Sequence, residues 1–236
     1  MMNTDDFFKG EVKPRNPSKI MWQHPMRAVI SGSSGTGKTG WLLKALADKR
    51  SPFDRIIWCA PSYSLQQPKL LNFRKRMGRK VVFVEGLDEA LITELMDEGF
   101  NAGLQQAVVL DDLMYEQNDF VNNLFTSGRH KNVSTIELTQ RLFTGGRGRI
   151  NRLNTNYFVL FPFGDKLEMT NLAKQINPSK YAKILEAYET ATSKPFGALI
   201  IDKNYHALPI DDLAKKKLLN FRDTQFDVVF PEMSDV

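Results

Sequence analysis

Residues 31–40 read SGSSGTGKTG, and their types and spacing suit the binding of a phosphate chain. Gly32, Gly35, Gly37, Lys38 and Thr39 satisfy the pattern G-x-x-x-x-G-K-[ST]. Glycines let consecutive backbone N–H groups turn inward around an anion. A helix that begins there presents its positive end to the same anion. Lys38 is placed to reach β- and γ-phosphates, and the Thr39 hydroxyl to bind Mg²⁺. The whole cradle comprises Gly32, Ser33, Ser34, Gly35, Thr36, Gly37, Lys38, Thr39 and Gly40. The plain alternative is a glycine-rich turn that happens to contain Lys-Thr. A predicted strand before it and a predicted helix after it argue for the cradle.

Such a cradle needs a carboxylate on a neighbouring strand. The run AVVLDD (107–112) supplies two. Asp111 ends four apolar residues and is placed to hold Mg²⁺ through water. Asp112 can orient or deprotonate an attacking water, or merely cap a helix. The strand 133–139 ends beside Gln140, whose amide can sense a γ-phosphate and position water. Its plain alternative is a polar strand end facing solvent.

These groups need elements to hold them. Short apolar runs at 27–31, 55–60, 80–85, 107–112, 133–139, 156–163 and 197–202 read as strands. Between them, 37–50, 64–78, 88–99, 118–128, 165–176 and 179–191 carry helical spacing. Val/Ile/Leu-rich strands alternating with helices predict an α/β fold, a mostly parallel central sheet flanked by helices. The strands at 55–60 and 80–85 lie between the cradle and Asp111 along the chain, which by fold analogy implies the additional-strand layout of motor ATPases. Residues 1–20 read as a polar arm, 21–206 as one domain, and 207–236 as a partly helical tail. No linker divides the chain.

The chain has 236 residues, 42% hydrophobic and 25% charged, as expected of a soluble globular protein. No apolar run approaches a membrane span, and the N-terminus lacks the apolar core of a signal peptide. The single cysteine, Cys59, cannot form an internal disulfide, so a reducing intracellular compartment is expected. A net charge of +5 permits nucleic-acid contact without requiring it.

The ordered set GSSGTGKT, VVLDDL, TSGRHKN and a strand ending in Thr139-Gln140 resembles the FtsK/HerA superfamily of DNA-pumping ATPases. The block GRHKNVSTIELTQRLF is most similar to the viral genome-packaging ATPases of poxviruses, giant viruses, virophages and Maverick/Polinton elements. NTNYFVLFPFGDK, LAKQINP and AYETATSKPFGALIID fit as well, so the resemblance covers about residues 20–205. It implies a P-loop NTPase of the additional-strand (ASCE) type. It implies a ring of five or six copies that hydrolyses ATP with Mg²⁺ and threads double-stranded DNA into a preformed capsid. The partners would be that DNA and the capsid or portal vertex. The place would be the host cell during virus assembly, in cytoplasm or nucleus, or the virion itself. By resemblance Lys38 and Thr39 are nucleotide ligands, Asp111 holds the metal, Asp112 is the catalytic acid and Gln140 the sensor.

Ring ATPases need a cation delivered to the γ-phosphate by a neighbour. Arg129, Arg141, Arg147, Arg149 and Arg152 are candidates. Arg129 leads, because the resemblance puts a subunit interface there. The run RLFTGGRGRINR (141–152) reads as a basic loop that carries the finger or contacts DNA phosphates through Arg147, Arg149 and Arg152, or as a solvated surface loop. His130 reads as a hydrogen-bonded structural residue and Cys59 as a small buried hydrophobe. Trp22, His24 and Pro25 could wall an adenine or simply pack, and Phe163 and Phe196 read as core. Three histidines and one cysteine, spread apart, make no zinc site. Two other classes use the same cradle: a helicase or plasmid-transfer ATPase, and a nucleotide-binding assembly protein without turnover.

Overall fold

The computed structural model describes residues 24–48, 51–113, 118–143, 148–179, 181–203 and 227–229. Eight strands form one sheet: β1 (Arg27–Ser31), β2 (Arg55–Ala60), β3 (Val81–Glu85), β4 (Gln106–Asp111), β5 (Val133–Thr139), β6 (Tyr157–Leu160), β7 (Leu199–Asp202) and β8 (Asp227–Val229). Their order is β3-β2-β4-β5-β1-β6-β7-β8. The pairs from β3 to β6 are all parallel. β7 runs antiparallel to β6 and parallel to β8. β2, β4, β5 and β6 are almost wholly buried, as expected of strands covered on both faces.

Helices α1 (Lys38–Ala47), α2 (Ser62–Leu65), α3 (Pro68–Met77), α4 (Glu89–Asn101), α5 (Asp119–Ser127), α6 (Gly148–Asn154), α7 (Lys166–Ile176) and α8 (Tyr181–Thr192) connect the strands. Several start where side chains satisfy first-turn N–H groups. Asp88 accepts from Leu91 N at 3.0 Å, Asn118 from Val121 N at 3.1 Å, and Asp165 from Leu167 N at 2.8 Å. α3 instead opens on Pro68, whose missing N–H is no loss at a helix start.

The two sheet faces bury separate cores. On one, Trp41, Leu42 and Leu46 of α1 and Leu70 and Phe73 of α3 pack against Ile56, Trp58 and Val109. On the other, Ile92, Phe125, Met169 and Ile184 from α4, α5, α7 and α8 pack against Ile57, Val108 and Phe158.

Three expectations change in detail. The strand inserted between the cradle strand β1 and the acid strand β4 is β5, while β2 and β3 lie beyond β4. The additional-strand class holds, with a different strand as the insertion. The helix expected over 64–78 is two, because Pro68 restricts the residue before it and starts a new helix. The basic run 141–152 is not one loop, since α6 begins at Gly148. The expected arm, 1–20, lies outside the described residues. The expected tail does too, apart from β8, which extends the sheet.

Candidate nucleotide site

Strand register brings the predicted residues to one sheet edge. Ser31 pairs with Thr139 and Asp111 with Leu138. The residues just past these strand ends are therefore the cradle after β1, Asp112 after β4 and Gln140 after β5. Together they line a cleft of about 380 Å³ with Lys38, Thr39, Gly40, Tyr63 and Lys69.

The cradle is built for an anion. Gly32 lies so close to the residue after β6 that a Cβ there would sit 2.6 Å from Phe161 Cβ. Ser33 N donates to Pro162 O at 2.9 Å, fixing the loop to the chain after β6. Gly37, at φ 103°, precedes α1 and gives its first turn no side-chain cap. Unlike α4, α5 and α7, this helix keeps its positive end open to a ligand. Thr36 Oγ1 donates to Ser33 O at 2.8 Å, while Ser34, Gly35 and Gly40 are exposed. Lys38 Nζ folds back onto Gly32 O at 2.6 Å and Ser33 O at 2.8 Å. Burial lowers the Lys38 pKa, and Asp112 and Asp111 oppose that.

Asp111 is buried at the end of β4, and its pKa is pushed up to about 6, first by burial and then by the Asp112 charge beside it. A carboxylate in that position gains from a cation. Asp112 takes φ 59°, a left-handed conformation that Asp tolerates better than most residues. Its two oxygens are held separately: Gln140 Nε2 donates to Oδ1 at 3.2 Å and Tyr63 Oη to Oδ2 at 3.3 Å.

The residues fit a Mg²⁺–nucleotide. Among the described residues no group of three or more His, Cys, Asp or Glu could hold a metal ion. Mg²⁺ characteristically uses one or two protein oxygens together with substrate phosphates. Thr39 Oγ1 and Asp111 are the oxygens available to it here.

Other predicted residues lie elsewhere. Arg129 is exposed in a 3₁₀ turn (Gly128–Lys131) ahead of β5, near enough to the start of β1 that its charge lowers the Arg27 pKa after burial has done so. It is therefore at the opposite sheet edge, about 20 Å from its own cradle by the rise of one strand. Arg129 is out of reach of this chain's own cradle. Arg141 is exposed beside Gln140.

Arg152 corrects the DNA-contact expectation. It is buried; its Nη1 donates to Leu142 O at 2.5 Å, and its guanidinium lies 4.1 Å from the Phe143 ring centroid. Glu168 Oε2 accepts from Leu142 N at 2.8 Å. Arg152 and Glu168 thus clamp the backbone just after Gln140. Arg149 is exposed on α6, and Arg147 lies outside the described residues.

His24 is no adenine wall. It sits at the far end of β1, where Nε2 pairs with Asn132 Oδ1 at 3.0 Å and Nδ1 with Ser134 Oγ at 2.8 Å. Pro25 shares that edge, and Trp22 lies outside the described residues. Phe196 is not core: it is 65% exposed and stands against Gly37.

Tyr63, Gln67 and Lys69 also line the cleft and carry no motif of their own in the sequence. Their signal was positional, because the segment after each parallel strand emerges at the edge where ligands bind. The Lys69 charge reaches both Asp111 and Lys38.

The sheet order and the cradle define a P-loop NTPase fold. That fold is shared with the genome packaging NTPase B204. The B204 DNA-packaging ATPase of Sulfolobus turreted icosahedral virus aligns at 16% identity with a TM-score of 0.57, over 78% of this chain and 95% of that one. B204 of Sulfolobus turreted icosahedral virus 2 aligns in complex with AMP at 14% identity and 0.55, over 78% and 95%, and in complex with ATP-gammaS at 17% and 0.54, over 76% and 93%. No protein-family model matches the chain, and no curated protein matches it in sequence.

Proposed function

We propose that this protein hydrolyses ATP to move double-stranded DNA into a viral capsid, as a ring of five or six copies docked at a capsid or portal vertex during assembly in the host cell. The observation that carries the hydrolytic part is the convergence of Lys38, Thr39, Asp111, Asp112 and Gln140 on one cleft. Bound Mg²⁺, held by Thr39 and Asp111, would neutralise phosphate charge. Lys38 exchanges its carbonyl partners for phosphate oxygens. Asp112, its carboxylate aimed by Gln140 and Tyr63, orients a water and takes its proton. An arginine from the neighbouring copy, Arg129, stabilises the charge of the transferring group.

Sequence resemblance and the B204 fold support the packaging reading. Charge placement supports a DNA partner. Between Asp54 and Glu85 the chain has seven Lys and Arg and no acid, so the remainder, in a chain of net +5, carries an excess of acid. Arg74, Lys75, Arg76, Arg79 and Lys80 of that segment are all exposed. Such a patch suits phosphates irrespective of base sequence. The test is translocation: ATP-dependent displacement of a third strand from duplex DNA, without separation of a tailed duplex. Separation of the tailed duplex would assign a helicase instead.

A further inference from the structure

Phe196 occupies a position that its side chain makes unfavourable. Gly197 N donates to Lys194 O at 3.0 Å, closing a tight turn over Lys194-Pro195-Phe196-Gly197. Pro195 is at the second position and Phe196 at the third, with φ 62°. This is the type II arrangement, whose third residue is ordinarily Gly or Asn because a Cβ is crowded there. Gly197 fixes the turn, since a Cβ on it would collide with Ala191 O at the end of α8. Core burial does not compensate, for Phe196 is 65% exposed. A strained, exposed aromatic is a reason to look for a ligand.

The surroundings indicate which ligand. β7 runs antiparallel to β6, with Leu199 opposite Leu160, so the chain entering β7 lies at the cradle edge. A Cβ on Gly37 would be 3.0 Å from Phe196 Cδ1, so the ring stands against the cradle itself. β4 and β5, with Asp111, Asp112 and Gln140, flank β1 on one side, and β6 and β7 flank it on the other. A nucleotide that extends along this edge with its γ-phosphate at the acids lays its nucleoside over β6 and β7. We propose that Phe196 is the platform on which the base of the bound nucleotide stacks. This rests on the nucleotide-site reading above and adds the base subsite to it.

Calorimetric binding of ATP and of inorganic tripolyphosphate, each with Mg²⁺, to the full chain and to Phe196→Gly tests this. Glycine suits the turn, so the variant should fold and melt at a higher temperature than the parent. Its ATP affinity should fall about tenfold, within the range for base–aromatic stacking, while tripolyphosphate affinity stays the same. Phe196→Trp should retain ATP affinity, with indole fluorescence that responds to ATP and not to tripolyphosphate. Unchanged ATP affinity in Phe196→Gly would overturn the inference and leave the nucleotide site standing. So would equal loss of both ligands, which would mean that the ring only shapes the cradle. A parent that bound neither ligand would overturn the nucleotide site and the base platform together.

Discussion

Gln140 Nε2 lies 3.2 Å from Asp112 Oδ1, a hydrogen bond that joins the end of β5 to the end of β4. It ties a group placed to sense phosphate to the group placed to activate water. Gln140→Ala should therefore bind nucleotide with near-parental affinity and lose about 10²-fold or more in turnover, the usual scale for disturbing a positioned general base. Tyr63→Phe removes the other, longer bond to Asp112 and should cost less. Calorimetry and phosphate release measure the two effects separately.

Arg152 and the exposed cations should separate cleanly. Arg152 holds Leu142 O and packs on Phe143, so Arg152→Ala should destabilise the fold by about 3 kcal/mol, as expected when a buried charged group is removed from its partners. Urea unfolding measures this. The salt dependence of duplex DNA binding should be unchanged in Arg152→Ala if the variant is kept folded. Replacing Lys75, Arg76, Arg79 and Lys80 together with Gln should instead flatten the slope of log K against log salt by about two to four units, close to one for each phosphate that is no longer neutralised.

His24 predicts a pH effect on stability. Burial lowers its pKa from the ordinary 6.5, against the opposing effects of Asn132 and Asp54. A base with a depressed folded-state pKa binds fewer protons folded than unfolded. Stability should then be fully present above about pH 6.5 and fall as pH drops through that value towards the folded-state pKa. Unfolding free energy should fall more between about pH 7.5 and about pH 5 for the parent than for His24→Gln. Parallel curves would remove the effect from His24.

Arg129 stands at the sheet edge opposite its own cradle, so any catalytic role is in another subunit. Arg129→Ala should bind nucleotide normally and lose turnover by ~10³-fold or more. Mixing it with Lys38→Ala should restore part of the activity, because the second variant has no working cradle yet can lend its arginine. Mixed rings without rescue would move the role to Arg141, Arg147 or Arg149.

Much of this site was legible in the sequence because it depends on local spacing. The cradle, Asp111-Asp112 and Gln140 each sit at or just past the end of a strand whose apolar run is unmistakable, and β2 and β5 have the bounds the sequence predicts. What was hidden depends on the third dimension. No periodicity says that β5, the fifth strand along the chain, inserts between β1 and β4. Arg152 looked like one cation of a basic loop. Its burial follows from a short helix that brings it against Leu142 and Phe143, beside the Glu137 and Glu168 charges. Phe196 looked like core because aromatic residues usually are; Pro195 before it and Gly197 after it were the available turn signal.

The most direct measurement is phosphate release from ATP by the full chain, with and without duplex DNA, beside Lys38→Ala and Asp112→Asn. Release by the parent should require Mg²⁺ and rise when duplex DNA is added. Lys38→Ala should lose nucleotide binding, and Asp112→Asn should bind ATP but lose about 10²-fold or more in turnover. A parent that binds ATP without releasing phosphate, or an Asp112→Asn variant that matches the parent, would contradict the account.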